Sequence, residues 1–105
     1  MAAYMLVIAQ LHDRERFITG YGRAAAALIP QFGGRYLLRG PGAELLEGAF
    51  GDGGSVVISE WPDKAAALAF WNSPEYAEAK ALRDGLADVQ VLLIEAPAIE
   101  GGLVS

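Results

Sequence analysis

Three stretches of this sequence read as β-strands, and each is apolar on both of its faces. A strand projects alternate side chains to opposite sides of its sheet. A sheet with helices on one side and water on the other therefore alternates apolar and polar residues. Residues 4–12 do not follow that rule: Met5, Val7, Ala9 and Leu11 point one way, and Leu6 and Ile8 point the other. In residues 55–61, Val56 and Ile58 oppose Val57 and Trp61. In residues 89–95, Val89, Val91 and Leu93 oppose Leu92 and Ile94. A sheet built from these strands needs two coverings.

The remaining sequence supplies helix for one. Asp13 is a good N-cap, and the helix it opens runs to about residue 31. Phe17, Tyr21, Ala24, Ala25, Leu28 and Phe32 draw its apolar stripe. Gly20 and Gly22 each weaken it by about 0.5–1 kcal/mol relative to alanine. Pro30 limits its continuation and Gly33-Gly34 stops it. Asp63 caps a second helix whose apolar face is Ala66, Leu68, Ala69, Phe70 and Trp71. Ser73 followed by Pro74 restarts a third, over about 74–86, carrying Tyr76, Ala79, Leu82 and Leu86.

Between the helices, residues 35–39 form another strand, broken by Gly40-Pro41-Gly42. Residues 43–48 are expected to continue the same edge as a bent or bulged strand, and residues 51–54 to turn. The order β-α-β-β-α-β is the split βαβ plan. It predicts an α+β, ferredoxin-like domain with a four-stranded antiparallel sheet and helices on one face. One such domain is expected over residues 1–96, with 97–105 as an extended tail. The uncovered face has a footprint of roughly 350 Å² for four strands of ordinary length and spacing. That is a large apolar patch for a monomer. The expected cover is the same face of a second copy, in an isologous homodimer. The alternative cover is the tail, through Leu103 and Val104.

Composition narrows the chemistry. The chain has no cysteine, which excludes disulfides, thiolate metal sites and a cysteine nucleophile, and favours a cytoplasmic setting. Against 13 acidic residues stand 8 basic ones, a net charge of −5. Such a chain repels a phosphate backbone, so nucleic acid is not an expected partner. No run approaches the roughly 20 apolar residues of a membrane span, and the first residues read as a strand rather than a leader. A single histidine without cysteine does not make a conventional zinc site. The glycine clusters lack a phosphate-loop context, and no Gly-x-Ser-x-Gly elbow is present. No metal and no cofactor is expected.

Strict alternation groups Gln10 and His12 with Leu6 and Ile8, Arg35 with Leu37 and Arg39, and Gln90 with Leu92 and Ile94. Polar groups then end an apolar floor on the dimer-facing side, the usual recipe for a small-molecule pocket. Arg39 is expected to meet Glu60 in a fork-shaped ion pair. The pair could hold a ligand oxygen with Glu60 as base, or simply fix the sheet edge. His12 could shuttle a proton or ligate haem iron, or be a capped surface residue beside Asp13. Tyr76 and Arg83, seven apart, share one face of the third helix, and Tyr21, Trp71 and Tyr76 either edge the cavity or are ordinary core. Glu44 and Glu47, three apart on a predicted strand, face opposite sides and are no catalytic pair.

Several motifs together carry a resemblance. Residues 33–40 (Gly-Gly-Arg-Tyr-Leu-Leu-Arg-Gly), Leu46-Glu47-Gly48, Val57-Ile58-Ser59-Glu60-Trp61-Pro62, Trp71-Asn72-Ser73-Pro74-Glu75-Tyr76 and Leu82-Arg83 resemble the family catalogued as domain of unknown function 1330. The resemblance spans roughly residues 3–96. It implies membership of the dimeric α/β-barrel superfamily, which includes cofactor-free monooxygenases, isomerases, haem enzymes and ligand-sensing domains. The family's motif positions fall on Arg35, Arg39, Glu47, Glu60, Trp71, Ser73, Tyr76 and Arg83. Pro30, Gly20 and Gly22 depart from its pattern in the first helix and are expected to reshape the cavity mouth. The expectation is a small-molecule protein, a cofactor-free monooxygenase or isomerase, with Arg39, Glu60 and His12 as its chemistry. Arg35, Tyr21, Trp71, Ser73, Tyr76 and Arg83 would bind the ligand. The alternative is a non-catalytic ligand-binding or structural dimer module.

Overall fold

The computed structural model describes residues 1–97. The remainder of the expected tail, Leu103 and Val104 included, lies outside the described residues. Four strands, β1 (Ala3–Leu11), β2 (Arg35–Gly40), β3 (Ser55–Trp61) and β4 (Ala87–Glu95), form one sheet in the order β2-β3-β1-β4. Every neighbouring pair is antiparallel. Helix α1 covers residues 14–32, α2 spans Lys64–Trp71 and α3 spans Pro74–Ala81. This is the ferredoxin-like α+β architecture that the element order predicts.

Local chemistry sets the element ends. The Asp13 carboxylate accepts from the Arg16 amide at 3.1 Å, the Asp63 carboxylate from Ala66 at 2.8 Å, and the Ser73 hydroxyl from Tyr76 at 3.0 Å. Each satisfies an amide that the first helical turn leaves unpaired. Helix α1 stops at Gly33, whose φ of +87° is the left-handed conformation that glycine adopts without strain. The next residue, Gly34, has no room for a side chain. A Cβ there would lie 2.8 Å from the Trp61 ring and 2.9 Å from Ile29.

The core lies between the helices and one sheet face. Trp61 and Tyr76 are its largest fully buried side chains. Phe70 packs between them, its ring 4.9 Å from Trp61 and 4.5 Å from Tyr76. The Trp61 indole N–H donates to the Ser59 hydroxyl at 3.0 Å, so no polar group is stranded there. Burying a side chain of the size of Phe70 contributes about 1.5–3 kcal/mol.

Register fixes the faces. Leu6 opposes Ile58 and Leu92, and Ile8 opposes Val56, so these residues share the sheet face without helices. Leu92 and Ile94 remain 62% and 55% exposed on that face. Both sides of the sheet are apolar, as the strand pattern requires.

Five local expectations are corrected. Helix α1 is not uniform: it widens into a π-helical stretch over Ile18–Gly22 and tightens to a 3₁₀ turn over Ile29–Phe32. Residues 43–48 are a loop, not a strand; backbone bonds between Ala43 and Gly53-Gly54 close it upon itself. Helix α2 buries Ala67 and Phe70, leaving Ala69 and Leu68 exposed. Helix α3 ends at Ala81, and Arg83 sits in the turns beyond it. Strand β2 carries a bulge between Tyr36 and Leu38. An inserted residue shifts every later side chain to the opposite face. Arg35 therefore opposes Glu60 and Arg39 opposes Val57, so the two arginines lie on different faces.

Candidate functional site

Small side chains create a hollow in the helix-covered layer. The inner face of α1 presents Gly22, Ala25 and Ala26 there, and the sheet beneath presents Val7, Ala9, Ser55, Val57 and Ser59. None can reach across the gap between helix and sheet. A cavity of about 420 Å³ results. It falls within the roughly 300–1,000 Å³ of typical ligand pockets. Phe17, Ile29, Met5 and Phe70 close it with further apolar surface.

A few polar groups converge on this hollow. Tyr21, within the π-helical stretch of α1, brings its hydroxyl 2.8 Å from that of Tyr76. Such wide turns often mark functional positions. Of the two phenolic protons, one serves the shared bond; the other remains available to a ligand. Burial, then the neighbouring Tyr76, pushes the Tyr21 phenol far above its ordinary range, against the pull of Arg83. Burial likewise raises Tyr36, with Tyr21 adding to it and Arg39 opposing. Both phenols are hydrogen-bond donors at neutral pH, not bases.

Three exposed arginines stand around the rim: Arg14, Arg23 and Arg39. Arg14 Nη2 donates to the Ser55 hydroxyl at 3.2 Å. The Arg39 guanidinium lies 4.7 Å from the centre of the Tyr36 ring, a cation–π contact that orients it. Behind the wall, the Arg83 guanidinium lies 4.9 Å from the centre of the Tyr21 ring. Arg83 is buried, and among the described residues its Nη1 has no hydrogen-bond partner.

The sequence-predicted site divides. Arg39, Tyr21 and Tyr76 meet at the cavity, with Arg83 against Tyr21. The cavity lies on the helix side, whereas the sequence pattern points to the dimer-facing side. Glu60 does not pair with Arg39. Its carboxylate accepts from Arg35 Nε at 2.8 Å and lies 2.7 Å from Arg35 Nη2, on the open face. The hydrogen bond from Arg35 is the main cause holding Glu60 below the ordinary carboxylate value. Hydrogen bonding to Glu60 in turn raises Tyr4, its neighbour across the β1–β3 register.

His12 stands at the exposed end of β1, its Nε2 3.2 Å from an Asp88 oxygen, and it does not line the cavity. Trp71 lines a separate hollow of about 220 Å³ with Leu68 and Val91, and Lys80 lies 4.6 Å from the centre of its ring. Ser73 is spent on capping α3 and on the Phe70 carbonyl. Among the described residues, no group of three or more His, Asp or Glu lies close enough to hold a metal ion. No described helix is long and apolar enough to cross a membrane.

Sequence reasoning missed Arg14, Arg23 and Tyr36. A signal existed: the run Ala24-Ala25-Ala26-Ala27 next to Arg23 puts small residues on a core-facing helix, and Ala9, Ser55 and Ser59 are small on the facing strands. Small residues on both sides of one layer leave a void.

Comparison with known proteins agrees with this architecture. The model of the family described as domain of unknown function (DUF1330) matches residues 2–97. No curated protein matches the chain. Among solved structures, a protein of unknown function from Rhodopseudomonas palustris (RPA0582) is similar at 22% identity and a TM-score of 0.76, covering 93% of this chain and 84% of that one. SnoaB, a cofactor-independent oxygenase from Streptomyces nogalater, is similar at 17% identity and a TM-score of 0.68, covering 95% and 97%. A dimeric ferredoxin-like protein of unknown function from Jannaschia sp. CCS1 is similar at 18% identity and a TM-score of 0.67, covering 91% and 100%. At these identities the likeness is one of fold.

Proposed function

The chain belongs to the family of domain of unknown function 1330, and from that premise we propose that it handles a small, largely apolar organic molecule held between α1 and the sheet. The observation that carries this reading is the cavity itself: about 420 Å³, walled by hydrocarbon, with a phenol pair and arginines converging on it. Apolar walls bind the body of such a ligand, and the few polar groups orient it. One phenol of the Tyr21–Tyr76 pair donates its free proton toward a carbonyl or phenolic oxygen. Arg39 supplies countercharge.

The protein works as a homodimer joined through its open sheet faces. Exposed Leu92, Ile94 and Leu38 support this, and so does the dimeric ferredoxin-like neighbour. The Arg35–Glu60 pair borders that face and is assigned to holding the sheet edge or the dimer seam. Freedom from cysteine supports a cytoplasmic setting.

Turnover is the second reading, favoured by the fold shared with a cofactor-independent oxygenase. Among the described residues no carboxylate or imidazole lines the cavity, so Glu60 and His12 have no role as its base. An acidic substrate would lose its proton to water, with Arg39 favouring the resulting anion.

The neutral dye N-phenyl-1-naphthylamine tests the binding reading. Its fluorescence is expected to saturate at one molecule per protomer. Ala26→Phe, which fills the cavity, is expected to abolish the signal while the far-ultraviolet spectrum is kept. Failure to bind, or binding that survives the filling, rejects the reading.

A further inference from the structure

We infer that the molecule accepted by this cavity is an organic anion: an apolar, ring-sized body carrying one carboxylate, sulfonate or comparably acidic oxygen. The inference rests on the proposed ligand role of the cavity and gives it a chemical class.

The charge of the lining is opposite to the charge of the chain. The sequence has 13 acidic and 8 basic residues, net −5. Yet among the described residues every charged side chain that lines the cavity is an arginine, namely Arg14, Arg23 and Arg39. An acidic protein thus keeps a local excess of three positive charges around one apolar hollow.

These arginines are not used for ion pairing. Among the described residues the ion pairs are His12–Asp88 and Arg35–Glu60, and none of the three takes part. Arg14 gives one donor to Ser55, and a guanidinium carries five. Arg39 lies over the Tyr36 ring, a cation–π contact that gives no hydrogen-bond acceptor to the N–H donors along its guanidinium edge. That edge is the fork that matches a carboxylate.

A fourth cation reinforces the field from behind. Arg83 is buried, with one guanidinium nitrogen unpartnered, against the Tyr21 ring. Low-dielectric walls lined by one sign of charge concentrate the oppositely charged solute. The floor beneath is largely hydrocarbon, through Met5, Val7, Ala9 and Val57. Small, highly hydrated anions gain nothing from such a floor. An amphiphilic anion gains from both floor and rim.

Two dyes that share a ring system separate the charge from the cavity. 1-Anilinonaphthalene-8-sulfonate carries a sulfonate; N-phenyl-1-naphthylamine lacks it. The sulfonate is expected to bind at one per protomer and at least about tenfold tighter, about 1.4 kcal/mol. Arg23→Gln and Arg39→Gln should each weaken the sulfonate about three- to tenfold and leave the neutral dye unchanged. The effect at these exposed positions should shrink at high salt. Ala26→Phe should abolish both, with Ala26→Leu as the milder filling if the larger one unfolds the protein. Equal affinities that ignore the arginine substitutions overturn the anion inference and leave the cavity reading intact. No binding of either dye, or binding that survives a folded filling variant, overturns the cavity reading and the inference with it.

Discussion

The helix-covered side of the sheet has two ends built on opposite principles. At one end, Trp61, Phe70 and Tyr76 fill the space between α2, α3 and the strands with rings packed at a tilt to one another. At the other, α1 meets the sheet through alanine and glycine over valine, alanine and serine, and the space stays open. Strands and helix layer are common to both ends. Only side-chain volume differs. The aromatic end holds the fold together, and the alanine end gives up packing for a binding volume.

Substitutions that exchange the two principles sharpen the contrast. Phe70→Ala opens a void in the packed end and is expected to cost about 3–5 kcal/mol in denaturant unfolding. A loss below about 1 kcal/mol would mean the aromatic end is no tighter than the other. Gly34→Ala forces a methyl group against the Trp61 ring, where 2.8 Å is available. It should destabilise by about 1–3 kcal/mol, as overpacking does. Ala26→Phe adds far more volume, yet into a space that exists. Its stability should stay within about 1.5 kcal/mol of the parent. If Ala26→Phe proves as damaging as Gly34→Ala, the two ends are equally full.

The smallest effect concerns the opposite face. Glu60 is held below its ordinary value of 4.5 by the hydrogen bond from Arg35. The folded state then binds the proton less tightly than the unfolded one. Its contribution is present above 4.5 and is lost as pH falls through the lowered folded value. Glu60→Gln should flatten that acid limb of the stability–pH curve and leave the neutral region nearly level. The pair is solvent-exposed on the Arg35 side, which keeps the effect modest. An unchanged acid limb would dissociate the pair from stability.

Much of the fold was legible because it depends on patterns local to the chain. Residues 55–61 form a strand over those residues, and Asp13, Asp63 and Ser73 cap the helices they were expected to cap. Two-faced strands foretold an uncovered sheet face. The site was less legible because its geometry is not local. A bulge at Leu37, set by pairing with β3, turns Arg39 away from Glu60 and into the cavity. Strict alternation has no means of anticipating an inserted residue. The cavity itself is a deficit of volume shared between α1 and the strands, visible in sequence only when alanine run and facing positions are weighed together.

Methyl-resolved NMR titration with 1-anilinonaphthalene-8-sulfonate tests the location of binding most directly, because the two sheet faces carry different methyl groups. Val7, Val57 and Ile29 line the cavity, whereas Leu6, Ile8, Val56 and Ile58 lie on or register with the open face. Shifts concentrated on the first set are expected. Shifts confined to the second would put the ligand on the bare sheet and contradict a binding site beneath α1.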